Sequence, residues 1–310
     1  MKSDPVTVEV RRGGMVESRH RVHVVCADAT GAVVAAWGDA AFPTFPRSAV
    51  KPIQALPLLE SGAAAAFGLG GEEIALACAS HSAESMHVER VRAWLGRIGM
   101  AEADLECGAP AGTPGPLHNN CSGKHAGFLT VARHLGLPTR GYVAHDHPVQ
   151  RLVSAALAEV TGVASAPWAI DGCSIPTFLV PLSALATGMA RMAAPPAARE
   201  AAARTIVASM LAHPALVAGS FRFDTLFMAA SHTVATKGGA EGVHAAIVPA
   251  KGWGIAVKAE DGAGRAAEAA LAAVLERLGL AGDDERAALA DRWPLHNVAG
   301  IVVGEIAVSA

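Results

Sequence analysis

Arg21-Val22-His23-Val24-Val25-Cys26-Ala27 and Ala32-Val33-Val34-Ala35-Ala36-Trp37, joined across Asp28-Ala29-Thr30-Gly31, decide the first architectural question. Two runs of β-branched and small apolar residues on either side of four turn-forming residues predict a β-hairpin. Val6 to Val10 reads as a further strand ahead of it. Beyond Trp37 the period changes, and Ala-rich stretches near 48–61, 87–98, 125–135, 148–160 and 196–212 follow helical spacing. Strand-like pieces return at 231–236, 243–249 and 253–260, the last two turned at Ala250-Lys251-Gly252. A helix near 264–279 and an apolar strand from Gly300 to Val308 close the chain. Strands, a long helical block, then strands again predict an α+β, layered fold: an antiparallel sheet flanked by helices, with an inserted all-helical lobe, not regular βαβ alternation. We expect one domain over 1–310, with a sheet lobe at about 1–45 and 220–310, a helical lobe at about 46–219 and a cleft between them as the default site.

Composition bounds the function. Apolar residues make up 52% of 310 residues, enough to fill a two-lobed core. A net charge of −3 without any basic run argues against a nucleic-acid partner, because phosphate binding needs clustered Lys and Arg. The N-terminus enters a charged, alternating segment with no apolar stretch of signal-peptide length, so a cytoplasmic location is expected. The uncharged run from Gly172 to Ala190 approaches membrane-spanning length, but Pro176, Pro181 and several hydroxyls make it a buried segment, and no membrane partner is expected. Five cysteines without an export signal read as thiols or metal ligands; Cys26 and Cys78 lie in apolar surroundings, while Cys107, Cys121 and Cys173 lie in polar, Gly/Pro-rich stretches.

The chemistry begins at Ser48-Ala49-Val50-Lys51, a serine and a lysine three residues apart on one helical face. With 16 Ser and 6 Lys in the chain, chance alone supplies about 0.3 such pairs. The chain uses only six lysines (Lys2, Lys51, Lys124, Lys237, Lys251 and Lys258) against 19 arginines, and lysine differs in that it can lose its proton when desolvated. Ser48 follows the rigid lead-in Pro43-Thr44-Phe45-Pro46-Arg47 and opens an apolar helix, where N–H groups and the helix dipole favour an oxyanion. An N-cap serine beside a solvated lysine is the plainer reading of the same spacing.

Three further clusters accompany it. Cys78-Ala79-Ser80-His81-Ser82-Ala83-Glu84 ends an apolar run and offers Ser80 as a second hydroxyl, or simply marks a helix C-terminus. Thr236-Lys237-Gly238-Gly239 places a lysine on a strand before small residues that let a substrate approach the backbone. Ser-x-x-Lys, a later hydroxyl and Lys-x-Gly follow the order of serine β-lactamases and penicillin-binding enzymes, although the Ser-x-Asn triplet is missing and Gly-Gly replaces Thr-Gly. Asn119-Asn120-Cys121-Ser122-Gly123-Lys124-His125, with Asp171-Gly172-Cys173 downstream, offers two thiolates for zinc and His125 as the ordinary third ligand, or else a buried cysteine pair. Asp146-His147-Pro148 reads as an N-cap followed by proline at the first helical position.

Arg47-Ser48-Ala49-Val50-Lys51-Pro52, Cys78-Ala79-Ser80-His81-Ser82, Asn120-Cys121-Ser122-Gly123-Lys124-His125, Asp146-His147-Pro148, Asp171-Gly172-Cys173 and Lys237-Gly238-Gly239-Ala240 together resemble the asparaginase II family of the Rhizobium etli type, over nearly the whole chain. The resemblance implies a serine β-lactamase and glutaminase-like fold, a homodimer, and hydrolysis of L-asparagine to L-aspartate and ammonia through a covalent acyl-enzyme. By motif it pairs Ser48 with Lys51 and Ser80 with Lys237, and assigns Cys121, Lys124 and Cys173 to Zn2+, so that Lys124 and not His125 is the third ligand. Arg47, His125 and Asp171 would orient the amino-acid head group, with Gly238 beside the substrate. The resemblance departs from the family pattern between Cys107 and Asn119, where the stretch from Gly108 to Pro116 looks shorter than the resemblance implies. Which of Ser48 and Ser80 is attacked first stays open. The competing readings are a glutaminase, a β-lactam or peptide hydrolase on the same fold, and a non-catalytic zinc-binding protein that needs Cys121 and Cys173 but not Ser48 or Lys51.

Overall fold

The computed structural model describes residues 3–309; Met1, Lys2 and Ala310 lie outside the described residues. The expected hairpin forms the centre of an antiparallel sheet. Met15–Asp28 turns into Val33–Trp37 with the Asp28 N–H on the Ala32 carbonyl at 3.0 Å, while the Asp28 carboxylate accepts the Thr30 N–H at 2.9 Å. The sheet runs in the order Pro294–His296, Val302–Ser309, Val6–Arg12, Met15–Asp28, Trp253–Ala259, Val243–Val248 and Ala235–Gly238, with Val33–Trp37 paired to the long central strand.

Alternation along the strands divides the core in two. Val24, Cys26, Ile255, Val257, Ala246 and Val248 pack on one face against the helices Gly264–Arg277 and Asp283–Leu289. Val25, Ala27, Ala256, Ala245 and Ile247 point the other way, into the larger core shared with the helical body. The helix Leu182–Ala193 crosses this second face so closely that a Cβ on Gly254 would stand 2.1 Å from the Ala186 carbonyl oxygen. Glycine is therefore required where strand meets helix. This helix is the outcome of the uncharged Gly172–Ala190 run, and among the described residues no helix is long and apolar enough to cross a membrane.

The helical region departs from expectation in three ways. It is not all-helical: Trp168–Ile170 pairs with Pro176–Phe178, and Pro43–Thr44 with Val180–Pro181. Segment 48–61 is not one helix but a 3-10 turn, Arg47–Val50, followed by the short helices Lys51–Gln54 and Leu56–Glu60, because Pro52 and Pro57 lack the N–H that would continue one ladder. The strand expected at 231–236 begins only at Ala235, since the helix Phe223–Ser231 packs Phe223 and Phe227 under the sheet. That helix, with Gly71–Ala77, Leu182–Ala193, Asp283–Leu289 and the single turns Ala63–Ala66 and Pro214–Val217, is additional to the expected set.

Candidate active site

Arg47 holds a left-handed backbone conformation (φ 51°) at the entry to the 3-10 turn that carries Ser48. Its strain is held by tertiary contacts. The Arg47 Nε donates to Asp171 Oδ1 at 2.7 Å, and the end of the strand Ala235–Gly238 presses on the same turn: a Cβ on Gly239 would lie 2.9 Å from the Pro46 carbonyl oxygen. Burial by itself would raise the Asp171 carboxyl, but the charges of Lys124 and Arg47 outweigh it and hold the group below the usual carboxylate range.

Ser80 follows the C-terminus of the helix Gly71–Ala77. Its N–H is bound to the Val217 carbonyl at 2.9 Å, and the next N–H, of His81, to the Asn120 carbonyl at 3.2 Å. The Ser80 Oγ lies 3.0 Å from the Lys51 amine and 2.8 Å from the Lys237 amine. One hydroxyl thus bridges two buried lysines. Lys51 also donates to the Ala79 carbonyl, and Lys237 to the Gly238 carbonyl at 2.6 Å.

The implied Ser80–Lys237 contact is present, whereas the direct Ser48–Lys51 contact is not: among the described residues no hydrogen bond joins those two side chains. An amine withdrawn from water needs acceptors, and Ser80 and Ala79 supply them. Burial, reinforced by Lys51 and Arg222 and opposed by Asp224, brings the Lys237 amine down to about 7. The neighbouring Cys78 thiol is pushed up to about 12 by burial and stays protonated.

Ser48 and Ser80 open onto one polar pocket of about 220 Å³, which is also lined by Asn120, Asp224, Gly238 and His244. A larger, apolar groove of about 440 Å³ beside Trp293 contains none of these groups. Sequence reasoning missed Asp224 and His244. Their signal was weak but present: a lone acid in the apolar helix Phe223–Ser231, and a lone imidazole on the apolar strand Val243–Val248.

The thiols and amine expected to bind zinc also converge. Cys121, Lys124 and Cys173 are all buried; the Lys124 Nζ donates to Cys173 Sγ at 2.9 Å, and the Cys121 thiol donates to Asn120 Oδ1 at 3.2 Å. The interaction of the two thiols, with Lys51 and Lys124 nearby, lowers the first ionisation, at Cys121, well below the ordinary thiol range; the same interaction and burial raise the second, at Cys173. Two sulfurs and one amine suit a soft divalent ion with its remaining position open. Binding would displace the Lys124 proton, which burial disfavours but the two sulfurs retain. Among the described residues no group of three His, Cys, Asp or Glu side chains is placed to hold a metal ion.

His125 does not join this set through its Nδ1, which faces the Tyr142 hydroxyl at 2.8 Å; its Nε2 is buried without a partner. Cys26 and Cys107 are buried thiols, raised by burial to about 11 and about 12. His147, not Asp146, caps the helix Pro148–Thr161, accepting the Val149 N–H at 3.2 Å, while Pro148 takes the first helical position as expected.

A family model described as L-asparaginase II matches residues 8–308. Comparison with curated proteins finds no match. Among solved structures, a β-lactamase from Mycobacterium bovis aligns over 83% of this chain and 94% of that chain, at 14% identity and a TM-score of 0.34. That correspondence is too loose to carry a conclusion. The family match spans nearly the whole polypeptide, and the chain belongs to the L-asparaginase II family.

Proposed function

We propose that this protein is an amidohydrolase that converts L-asparagine to L-aspartate and ammonia through an acyl-enzyme on Ser48. The observation that carries the reading is the Ser80 hydroxyl held between the Lys51 and Lys237 amines, beside Ser48 in one pocket. Ser48 attacks the side-chain amide carbon, and its proton passes to the Lys51–Ser80–Lys237 system. Lys237, brought by burial to about 7, can stand neutral at physiological pH and hold that proton. Ser80 delivers a proton to the departing nitrogen, and the C–N bond breaks to release ammonia. Water, deprotonated by the same system, then attacks the β-aspartyl ester and returns Ser48 to its hydroxyl form.

Ser48 is preferred as nucleophile because it opens a helical turn with an amide N–H that makes no hydrogen bond among the described residues, whereas the Ser80 N–H is committed to Val217. A second reading, with Ser80 as nucleophile, is favoured by its direct contact with both amines.

Cys121, Lys124 and Cys173 would hold zinc, and the bound ion would supply a Lewis-acid anchor for the amino-acid head group. Arg47, Asp171 and His125 complete that recognition, and Gly238 leaves room for the substrate. A homodimer in the cytoplasm belongs to the same proposal. Ammonia release by Ser48→Ala and Ser80→Ala on L-asparagine, beside L-glutamine and a chromogenic β-lactam, tests the reading. Turnover of glutamine or the β-lactam in preference to asparagine would replace it with one of the other hydrolase activities, and no turnover of any of the three would favour a zinc-binding protein without catalysis.

A further inference from the structure

Asp224 is a charged residue set into an apolar helix. It is 6% exposed, and both of its carboxylate oxygens are used: Oδ2 accepts the Gly238 N–H at 2.9 Å, and Oδ1 faces His244 Nε2 at 2.7 Å. Gly238 is also the residue whose carbonyl accepts the Lys237 amine. The carboxylate therefore fixes the backbone unit that aims Lys237 at Ser80. A Cβ on Gly238 would meet the His244 ring at 3.4 Å and Asp224 Oδ2 at 3.5 Å, ordinary contact distances, so what holds this residue is the hydrogen bond to the carboxylate and not steric exclusion. His244 is oriented in turn by the edge of Phe223, ring centroids 5.0 Å apart.

We infer that Asp224, backed by His244, is a positioning residue for the reaction: it clamps Gly238 so that Lys237 meets Ser80, and it supplies the buried counter-charge to that amine. This deepens the proposed function and rests on Lys237 handling a proton there. The charged and titratable groups around Lys237 are Asp224 from its helix, Arg222 just before it, Lys51 from the helix opposite, the Cys121 and Cys78 thiols, and the His244 imidazole bound to Asp224. Asp224 favours the protonated amine, while Lys51 and Arg222 disfavour it. Burial would raise the Asp224 carboxyl, but His244, Lys237 and the Gly238 N–H outweigh it, so the group stays ionised.

Asp224→Asn keeps an oxygen for the Gly238 N–H and removes the charge, which separates the clamp from the counter-charge. Six lysines make the titration of Lys237 readable by NMR of lysine labelled at Cε, with Lys237→Met to assign the signal. In Asp224→Asn the Lys237 signal should titrate at a pH lower by about one unit or more, the acid limb of kcat/KM should move with it, and kcat should fall about tenfold with KM nearly constant. A folded variant whose lysine signal and acid limb coincide with those of the unmodified protein overturns the inference. Should Asp224→Asn not fold, His244→Leu releases Oδ1 alone: kcat reduced severalfold at constant KM supports the inference, and an unchanged kcat overturns it. The NMR titration needs no substrate, so a shifted Lys237 in a protein that does not hydrolyse asparagine refutes the proposed function and not the coupling of Asp224 to Lys237.

Discussion

The Ser80 hydroxyl lies 2.8 Å from the Lys237 amine, although 157 positions separate the two residues in the chain. Strand and helical body are joined at this contact, and Lys51 completes it from the other side. If Ser80 relays protons and Ser48 takes the acyl group, Ser80→Ala lowers kcat by about 10²–10⁴ with a much smaller change in KM. Steady-state ammonia release measures both.

In the proposed reaction Lys237 sets the pH dependence. Burial sets the amine at about 7, and the unprotonated form is the one that accepts a proton. The kcat/KM profile should therefore climb as pH rises through about 7 and level off above it. A profile already flat below that range would remove Lys237 from the proton path.

The same amine costs stability. Its folded value of about 7 lies below the ordinary lysine value of 10.5, so between these limits the unfolded chain binds more protons than the native one, and stability rises with pH across that window. Lys237→Met should abolish this slope and stabilise the protein at neutral pH by about 1–4 kcal/mol while destroying activity. Urea denaturation at the two ends of the window checks the sign.

Much of the fold was legible because it is local. The hairpin of residues 21–37 carries its own turn, and the sheet strands at 243–249 and 253–260 carry their apolar runs. The site was legible as motifs but not as pairings. Ser48 and Lys51 share a turn, yet the Lys51 amine is drawn to Ser80 and Ala79 because burial demands acceptors that only the tertiary fold brings near. Asp224 and His244 escaped notice for the same reason: Gly238 lies 14 positions and His244 20 positions from Asp224, and neither spacing announces a contact until the tertiary fold brings the three together.

Packing at Gly254 supplies a test of the architecture apart from the chemistry. A Cβ there meets the backbone of the helix Leu182–Ala193 and not a movable side chain. Gly254→Ala should destabilise the fold by about 1–3 kcal/mol or more, visible as a lowered urea midpoint.

The proposed zinc site predicts a stoichiometry. Equilibrium dialysis with zinc, followed by metal analysis, should find one ion per chain, with affinity reduced in Cys121→Ser and Cys173→Ser by more than the about 10–100-fold that loss of an outer-sphere partner causes. Unaltered zinc binding in both variants would place the ion elsewhere.

The most direct test of the central claim is to quench the protein in acid during turnover of L-asparagine and locate the aspartyl ester by peptide mass spectrometry. An ester on the peptide carrying Ser48 is the expected result. An ester on Ser80, or none on either serine while ammonia is released, would contradict it.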